Sequence, residues 1–307
     1  MKYLKEVIYL FKNAGFSIAL TYIIYRLKLK LQNTKYSSNR RNRQTSRMQK
    51  INEHLFNMNH KVVEINNKRL LEIIEKENTI YVRPFSSDRR VSYQIFDCHE
   101  YLPVVKIFDQ LFSHPPQLIF DLGANIGLTS VYFSKFYPKS TIVAIEPFPD
   151  NAELAQINMA KNNFFNFKII KGGIWNKNTN LSLNRNFRDG KEWSINLTEN
   201  ILGEIKGYSL SDIFETYNQP IDILKIDIEG AERELFSEIS YSSRFLPKVK
   251  IIAIEIHDEF NCRQMIYDAF RKSNFIYYES GETTIGINKQ YINLDSELFN
   301  SQIEKVH

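Results

Sequence analysis

Between Leu118 and Asn288, apolar runs of strand length alternate with stretches whose apolar residues recur at helical spacing. Leu118-Ile119-Phe120 ends on Asp121. A glycine-spaced turn, Gly123 to Gly127, leads into a helical pattern with apolar residues at 128, 131, 132 and 136. A second strand, Thr141 to Ile145, ends on Glu146-Pro147. The pattern then predicts a helix over Asp150 to Asn162, with Asp150 as its N-cap, and a third strand over Phe167 to Lys171. Ile221 to Ile226 and Lys250 to Ile256 are the fourth and fifth strands, followed by helices from Ala231 and from Cys262. A hairpin of Phe275 to Glu279 and Thr283 to Asn288 closes the series. This alternation predicts an α/β fold with a parallel sheet, to which the hairpin adds one antiparallel strand. Leu181 to Leu183 and Trp193 to Thr198 are expected to form an inserted antiparallel pair with Gly190 in its turn.

Upstream of this 118–290 domain lie a pre-domain, 51–117, and an arm, 1–50; a tail covers 291–307. The pre-domain predicts two short strands, Leu70 to Ile74 and Thr79 to Arg83, and a helix from Leu102 to Phe112. The arm holds an apolar, amphipathic helix followed by a basic run. Its longest uncharged stretch, Asn13 to Tyr25, falls short of the roughly 20 residues needed to span a bilayer. The net charge of +5 hides an asymmetry: residues 1–50 contain twelve Lys or Arg and one acid, Glu6, so the remainder is mildly acidic. An apolar helix with a polybasic segment suits an anionic membrane surface, and equally a helix packed on protein beside a solvated basic linker. Aromatics are not interleaved with the basic run, and no element for a flipped base is present, so a nucleic-acid partner is not expected. Cys98 and Cys262 show no paired spacing, which makes a reducing cytoplasm the expected compartment.

Strand, glycine turn, helix and strand over 118–147 make the βαβ unit of a nucleotide-binding sheet. The spacing D-x-G-x-x-x-G does not suit a dinucleotide, because Asp121 would face the pyrophosphate. S-adenosylmethionine (SAM) has a ribose, a cationic amine and no phosphate. Its carboxylate would take the Gly-loop amides, its ammonium Asp121 and its ribose Glu146. The plainer alternative is a βαβ unit whose glycines only make the turn. Asp227 and His257, at the ends of the fourth and fifth strands, are the candidate general bases, with Glu229 assisting. Glu229 would otherwise cap the following helix, and His257 would otherwise bond to backbone. Asp227, Glu229, Glu255 and His257 also make a candidate divalent-ion set. Glu255 points away from its strand neighbours, the four need not converge, and no metal is assigned.

With Asp121-x-Gly123-x-Asn125-x-Gly127, Glu146-Pro147, the run Lys225 to Glu232 and Glu255-Ile256-His257-Asp258 in this order, the chain resembles the FkbM family of methyltransferases. The resemblance extends from about Thr79 to Asn288 and takes in Ser87-Asp88, Glu100-Tyr101 and Gly173-Ile174-Trp175. It implies a class I methyltransferase sheet, Rossmann-like, with seven strands of which the last is antiparallel. It implies SAM as cofactor, held at Asp121, Gly123, Asn125, Gly127, Glu146, Gly173 and Ser87. The implied reaction is O-methylation, with a sugar hydroxyl of a glycan or glycolipid precursor as the leading acceptor. A non-catalytic SAM- or nucleotide-binding scaffold at a membrane assembly is the alternative. The stretch Gly172-Gly173-Ile174 offers only backbone and apolar contact where this fold usually has a polar adenine contact.

Overall fold

The structure, a computed structural model, describes residues 2–31, 60–75, 77–184 and 196–292. The expected basic segment beyond residue 31, the turn at Gly190 and the tail from 293 lie outside the described residues. The chain divides into two units: residues through Ile74 with Tyr81–Ser86, and Glu75–Ile80 with everything from Ser87 onward. Residues 87–117 of the expected pre-domain thus group with the sheet.

The first unit opens on two helices, α1 (Lys2–Ala14) and α2 (Phe16–Leu31), where the hydrophobic pattern predicts one. Gly15 makes the break: its φ of +83° belongs to the left-handed region that ends helices. Leu10, Ala19 and Tyr22 are buried in the core of this helix pair, and the Tyr22 hydroxyl donates to the Glu6 carboxylate. Further on, β1 (Lys61–Ile65) and β2 (Lys68–Glu75) pair antiparallel. Their turn residues Asn66 and Asn67 both have positive φ, as a tight hairpin turn requires. The division between the units falls within β3 (Asn78–Val82).

In the second unit α3 (Asp88–Ser92) runs into one π turn (Tyr93–Asp97) and then α4 (Leu102–Leu111). The main chain then forms β4 (Leu118–Leu122), α5 (Leu128–Phe136), β5 (Thr141–Glu146), α6 (Pro149–Lys161) and β6 (Phe167–Lys171). Phe148, with Pro149 after it, is the N-cap of α6, and Asp150 sits in its first turn, not at the cap. A second, four-stranded sheet follows: β7 (Gly173–Trp175), β8 (Thr179–Asn184), β9 (Asn196–Glu199) and β10 (Ile205–Ser209). Its β8 and β9 are the expected antiparallel pair. The chain returns through α7 (Leu210–Glu215), β11 (Ile221–Ile226), α8 (Glu232–Phe236), α9 (Ile239–Phe245) and β12 (Val249–Glu255). It ends with α10 (Arg263–Lys272), β13 (Phe275–Ser280) and β14 (Thr283–Asn288).

The large sheet has seven strands in the order β13-β14-β12-β11-β4-β5-β6. All neighbours run parallel except β14, which is antiparallel to both β12 and β13, as the resemblance implies. The strands β4 and β11 are buried along their whole length, which is why they read as continuous apolar runs. From β4 the chain progresses to β5 and β6 on one side, then returns to β11 on the other. That reversal opens a crevice outside the carboxyl ends of β4 and β11. At the opposite end Asp222 accepts the backbone N–H groups of Gln117 and Leu118 at 2.7 and 3.0 Å, locking the two strands in register.

Candidate active site

The turn after β4 lies hard against the end of β11. Gly123 has a φ of +72°, and a Cβ there would stand 1.8 Å from the Asp227 carbonyl oxygen, so no side chain fits. Gly127 is also left-handed, and its missing Cβ lets α5 approach Ala155 on α6. The loop amides are turned into the protein. Those of Gly123 and Ala124 donate to the Ile145 carbonyl at 3.0 and 3.1 Å, and that of Gly127 to the Ala124 carbonyl. The Asn125 amide donates to Glu146 Oε2 at 2.8 Å. Four of the five loop amides, those of Gly123, Ala124, Asn125 and Gly127, are therefore engaged within the protein. Donors begin instead at the first turn of α5, whose amides have no intrahelical partner.

Two cavities open on this turn. The larger, about 310 Å³, is lined by Ser87, Arg90, Glu100, Asn125, Thr129, Lys225, Asp227, Glu229, Glu255 and Glu282 among others. The smaller, about 70 Å³, is lined by Glu146, Phe148, Asn151, Gly173, Ile174, Leu197 and neighbours. Gly123, Asn125, Asp227 and Glu229 line both. Gly127 and Asp121 line neither. Among the described residues lining these cavities, Ser87 Oγ and Asn125 Oδ1 are buried oxygens without a hydrogen-bond partner, while the buried Glu229 Oε2 faces His257 Nε2 at 3.4 Å.

Asp121 is fully buried. Ser130 donates to its Oδ2 at 2.6 Å, and Lys225, its register partner on β11, stands 3.2 Å from Oδ1. Lys225 also donates to the carbonyls of Leu122 and Gly123, at 3.2 and 2.8 Å, and lies 3.7 Å from Asp227 Oδ2. Burial alone would lower the Lys225 pKa, but Asp121 and Asp227 outweigh it and hold the ammonium charged. The carboxylate expected to take a ligand's ammonium thus holds the protein's own.

Glu146 accepts from the amides of Asn125 and Phe148 and from Asn151 Nδ2 at 3.2 Å. Burial raises its carboxyl to about 7 against those three hydrogen bonds. Next to the small cavity, Leu197 packs with Trp175, Leu181 and Ala231, which brings the small sheet over the 228–231 turn.

His257 is buried and lines neither of these two cavities; it reaches only a shallower one beside Asp258 and Arg263. Its Nδ1 is 3.1 Å from Glu232 Oε1, and its Nε2 is 3.4 Å from Glu229 and 3.8 Å from Glu255. Burial would lower its pKa, but the hydrogen bond and charge of Glu232 outweigh that and raise it to about 9. With carboxylates at both ring nitrogens, the imidazole is placed to hold Glu229 and Glu232, and its charged form is favoured. Glu232 also accepts the amides of Ile228 and Gly230 at 2.9 and 2.7 Å. The N-cap position of α8 is Ala231, without a side-chain cap bond, so Glu229 does not cap that helix; at φ +53° it reaches both cavities. Burial, then Asp227, raises Glu100 and Glu255, the latter to about 8.

Asp227, Glu229 and His257 offer ligand atoms within 4.8 Å of one another, as do Glu100, Glu255 and Glu282. Glu255 belongs to the second group, although its Oε1 also lies 3.8 Å from His257 Nε2. Lys225, Glu232 and Glu100 lie in the stretches that carry the resemblance but had no role assigned, and Glu282 was not singled out. A lysine inside an apolar strand was the available signal for Lys225. None existed for Glu100 with Glu282, which distant segments bring together.

The model of the Methyltransferase FkbM domain matches residues 121–277, just over half of the chain. The chain belongs to the FkbM methyltransferase family. Among curated relatives of this FkbM enzyme, Methyltransferase sdnD of Sordaria araneosa is 27% identical over 202 residues, 55% of this chain and 75% of the relative. Methyltransferase 1 of Beauveria bassiana is 23% identical over 159 residues, 45% of this chain and 64% of its own, less than two thirds of that protein. Among solved structures, a methyltransferase from Geobacter sulfurreducens is 15% identical with a TM-score of 0.39, covering 67% of this chain and 92% of that one. Methyltransferase FkbM from Methylobacillus flagellatus is 14% identical with a TM-score of 0.38, covering 64% and 53%. The FkbM match spans the Gly loop, Glu146, the Lys225–Glu232 run and His257, and leaves α1, α2 and β1 to β3 outside. Methyltransferases of this fold generally use SAM.

Proposed function

We propose that this methyltransferase takes its methyl group from SAM and transfers it to a hydroxyl of a sugar in a glycan or glycolipid precursor. The observation that carries this is the pair of orphaned buried oxygens, Ser87 Oγ and Asn125 Oδ1, beside a turn where only glycine fits at 123. Asn125 Oδ1 can accept from an ammonium, and the first-turn amides of α5 can receive a carboxylate at the positive end of that helix. Glu146 can accept ribose hydroxyls. Phe148, Gly173, Ile174 and Leu197 make an apolar slot for the adenine. Among the described residues lining the smaller cavity there is no Lys or Arg to meet a pyrophosphate, and an ionised Glu146 would repel one.

SAM supplies a methyl group on a sulfonium, already a good leaving group, which leaves alignment and proton removal to the chain. Alignment of donor and acceptor is worth roughly 7–11 kcal/mol in well-oriented systems. Asp227 lines both cavities and is the residue assigned to take the hydroxyl proton, a step worth on the order of 10²–10⁴-fold. Glu229 orients the acceptor, and His257 positions Glu229. A sugar suits a cavity whose walls are mostly hydrogen-bond acceptors, since each hydroxyl can donate to a carboxylate. The enzyme would work in the cytoplasm, with residues 1–50 bringing it to the anionic inner face of a membrane.

Calorimetry with SAM, followed by transfer of labelled methyl from SAM to extracted glycans and lipids, tests this. The wild type is expected to bind SAM and to label a sugar-containing fraction. Asp227→Asn should keep SAM binding and lose at least about 100-fold in transfer. A wild type that binds no SAM, or that labels only fractions without sugar, overturns the proposal.

A further inference from the structure

The α1–α2 hairpin carries a second apolar face besides the one closed between its helices. Leu4, Ile8 and Phe11 recur on one side of α1, and Phe16, Leu20 and Ile24 on one side of α2. Each of the six is 40–63% exposed. The rings of Phe11 and Phe16 meet edge to face at 5.6 Å across the Gly15 turn, so the two stripes join at the tip. Six large apolar side chains on so small an element exceed the scattered exposure of an ordinary surface.

Charge identifies the partner. Glu6, the single acid among residues 1–50, is turned inward and hydrogen-bonded by Tyr22, while Lys5 and Lys12 stay exposed on α1. The surface beside the stripe is therefore purely cationic where it is charged, and the sequence continues with nine further Lys or Arg before residue 51. The helices have 13 and 16 residues, roughly 20 and 24 Å at 1.5 Å per residue. Both are shorter than the roughly 30 Å hydrocarbon layer, and no described helix is long and apolar enough to cross a membrane.

We infer that the hairpin is a lipid-binding wedge. It lies in the plane of an anionic bilayer with Leu4, Ile8, Phe11, Phe16, Leu20 and Ile24 among the acyl chains and Lys5 and Lys12 at the headgroups. The inference rests on the membrane placement of residues 1–50 proposed above and adds the face and the mode of insertion. Insertion predicts a component of binding that salt does not remove, since screening weakens only the ionic part.

The test is co-sedimentation of the full-length protein with phosphatidylcholine vesicles and with vesicles containing phosphatidylglycerol, at low salt and near 1 M salt, where the Debye length is about 3 Å. The wild type is expected to bind the anionic vesicles and to keep a measurable part of that binding at high salt. The double variant Phe11→Asp, Phe16→Asp should lose that salt-resistant part by at least about tenfold, while Lys5→Glu, Lys12→Glu should lose chiefly the low-salt preference for anionic lipid. Unchanged thermal melting identifies each variant as folded. If the wild type ignores anionic vesicles, the membrane placement fails and the wedge with it. If the Phe variant binds like wild type at high salt, the wedge is overturned while a purely ionic anchor stands. If sedimentation velocity instead shows a dimer that the Phe variant dissolves, with vesicle binding unchanged, the face joins two copies and the inference is wrong.

Discussion

Two single residues decide how the site responds to mutation and to pH. Lys225 joins Asp121, Asp227 and two carbonyls of the Gly turn, so its loss leaves Asp121 charged and unpaired in the core. Removing one partner of such a pair costs about 3–5 kcal/mol. Urea unfolding should show that loss for Lys225→Met, and Asp121→Asn added to it should restore a large part; equal losses in single and double variants would dissolve the pairing. Glu146 acts through its proton. Its carboxyl is raised to about 7 by burial, against about 4.3 in the unfolded chain. A raised folded value means its stabilising effect is full below the unfolded pKa and disappears as pH rises through 7. The ribose contact proposed for Glu146 needs the ionised form, so SAM affinity should run the other way and climb as pH passes 7. Glu146→Gln should flatten both slopes. Melting without ligand and calorimetry with SAM from about pH 5.5 to 8 check the pair of trends, and an unchanged affinity slope in the variant would take Glu146 out of the cofactor site.

At the scale of elements, the site depends on how the 227–232 turn is tied to β12. Gly230 has a φ of +98° with Phe260 packed where a Cβ would stand, and Glu232 bridges the turn amides to His257. Burial opposes the charge on His257, but Glu232 raises its pKa to about 9. Its contribution is therefore full below about pH 6.5 and lost as pH rises through 9. His257→Gln should remove that decline from the stability profile between these values, and a profile identical to wild type would show that the imidazolium is not what fastens the turn. In the β4–α5 turn, Gly123→Val should abolish SAM binding, since the added Cβ collides with the Asp227 carbonyl. The strands that frame both turns were legible because β4, β5, β11 and β12 are apolar runs that each end at an acid or a histidine. The direction of the loop amides was not, because spacing locates an amide without saying which carbonyl it meets. His257 was legible as a strand-end residue, but its proton is fixed by Glu232, 25 positions upstream. The break at Gly15 was obscured by the apolar residues on both sides of it, and Glu100 meets Thr283 only through the fold.

Across the whole molecule, charge divides between an arm that is basic and a cavity that is acidic. The cavity walls present Glu100, Asp227, Glu229, Glu255 and Glu282, with Arg90 and Lys225 as the cations, and Lys225 is already held by Asp121. An acceptor with a phosphate or carboxylate beside its reactive hydroxyl would meet like charge at close range, a juxtaposition that costs several kcal/mol. Neutral and amino sugars escape that cost. They should be methylated with a kcat/KM at least about tenfold above that of matched uronic acids or sugar phosphates, a difference of about 1.4 kcal/mol. The preference has a pH signature, because Glu255 is raised to about 8 by burial and by Asp227 and loses its proton near there. Discrimination against anionic acceptors should therefore deepen between about pH 7 and 9. Glu255→Gln should remove that deepening while leaving SAM affinity close to wild type. Labelled-methyl transfer to a neutral and an anionic acceptor of the same ring, measured side by side across this range, decides it. Equal rates on the two acceptors would mean that the acids serve the cofactor or a bound cation and leave acceptor choice to shape.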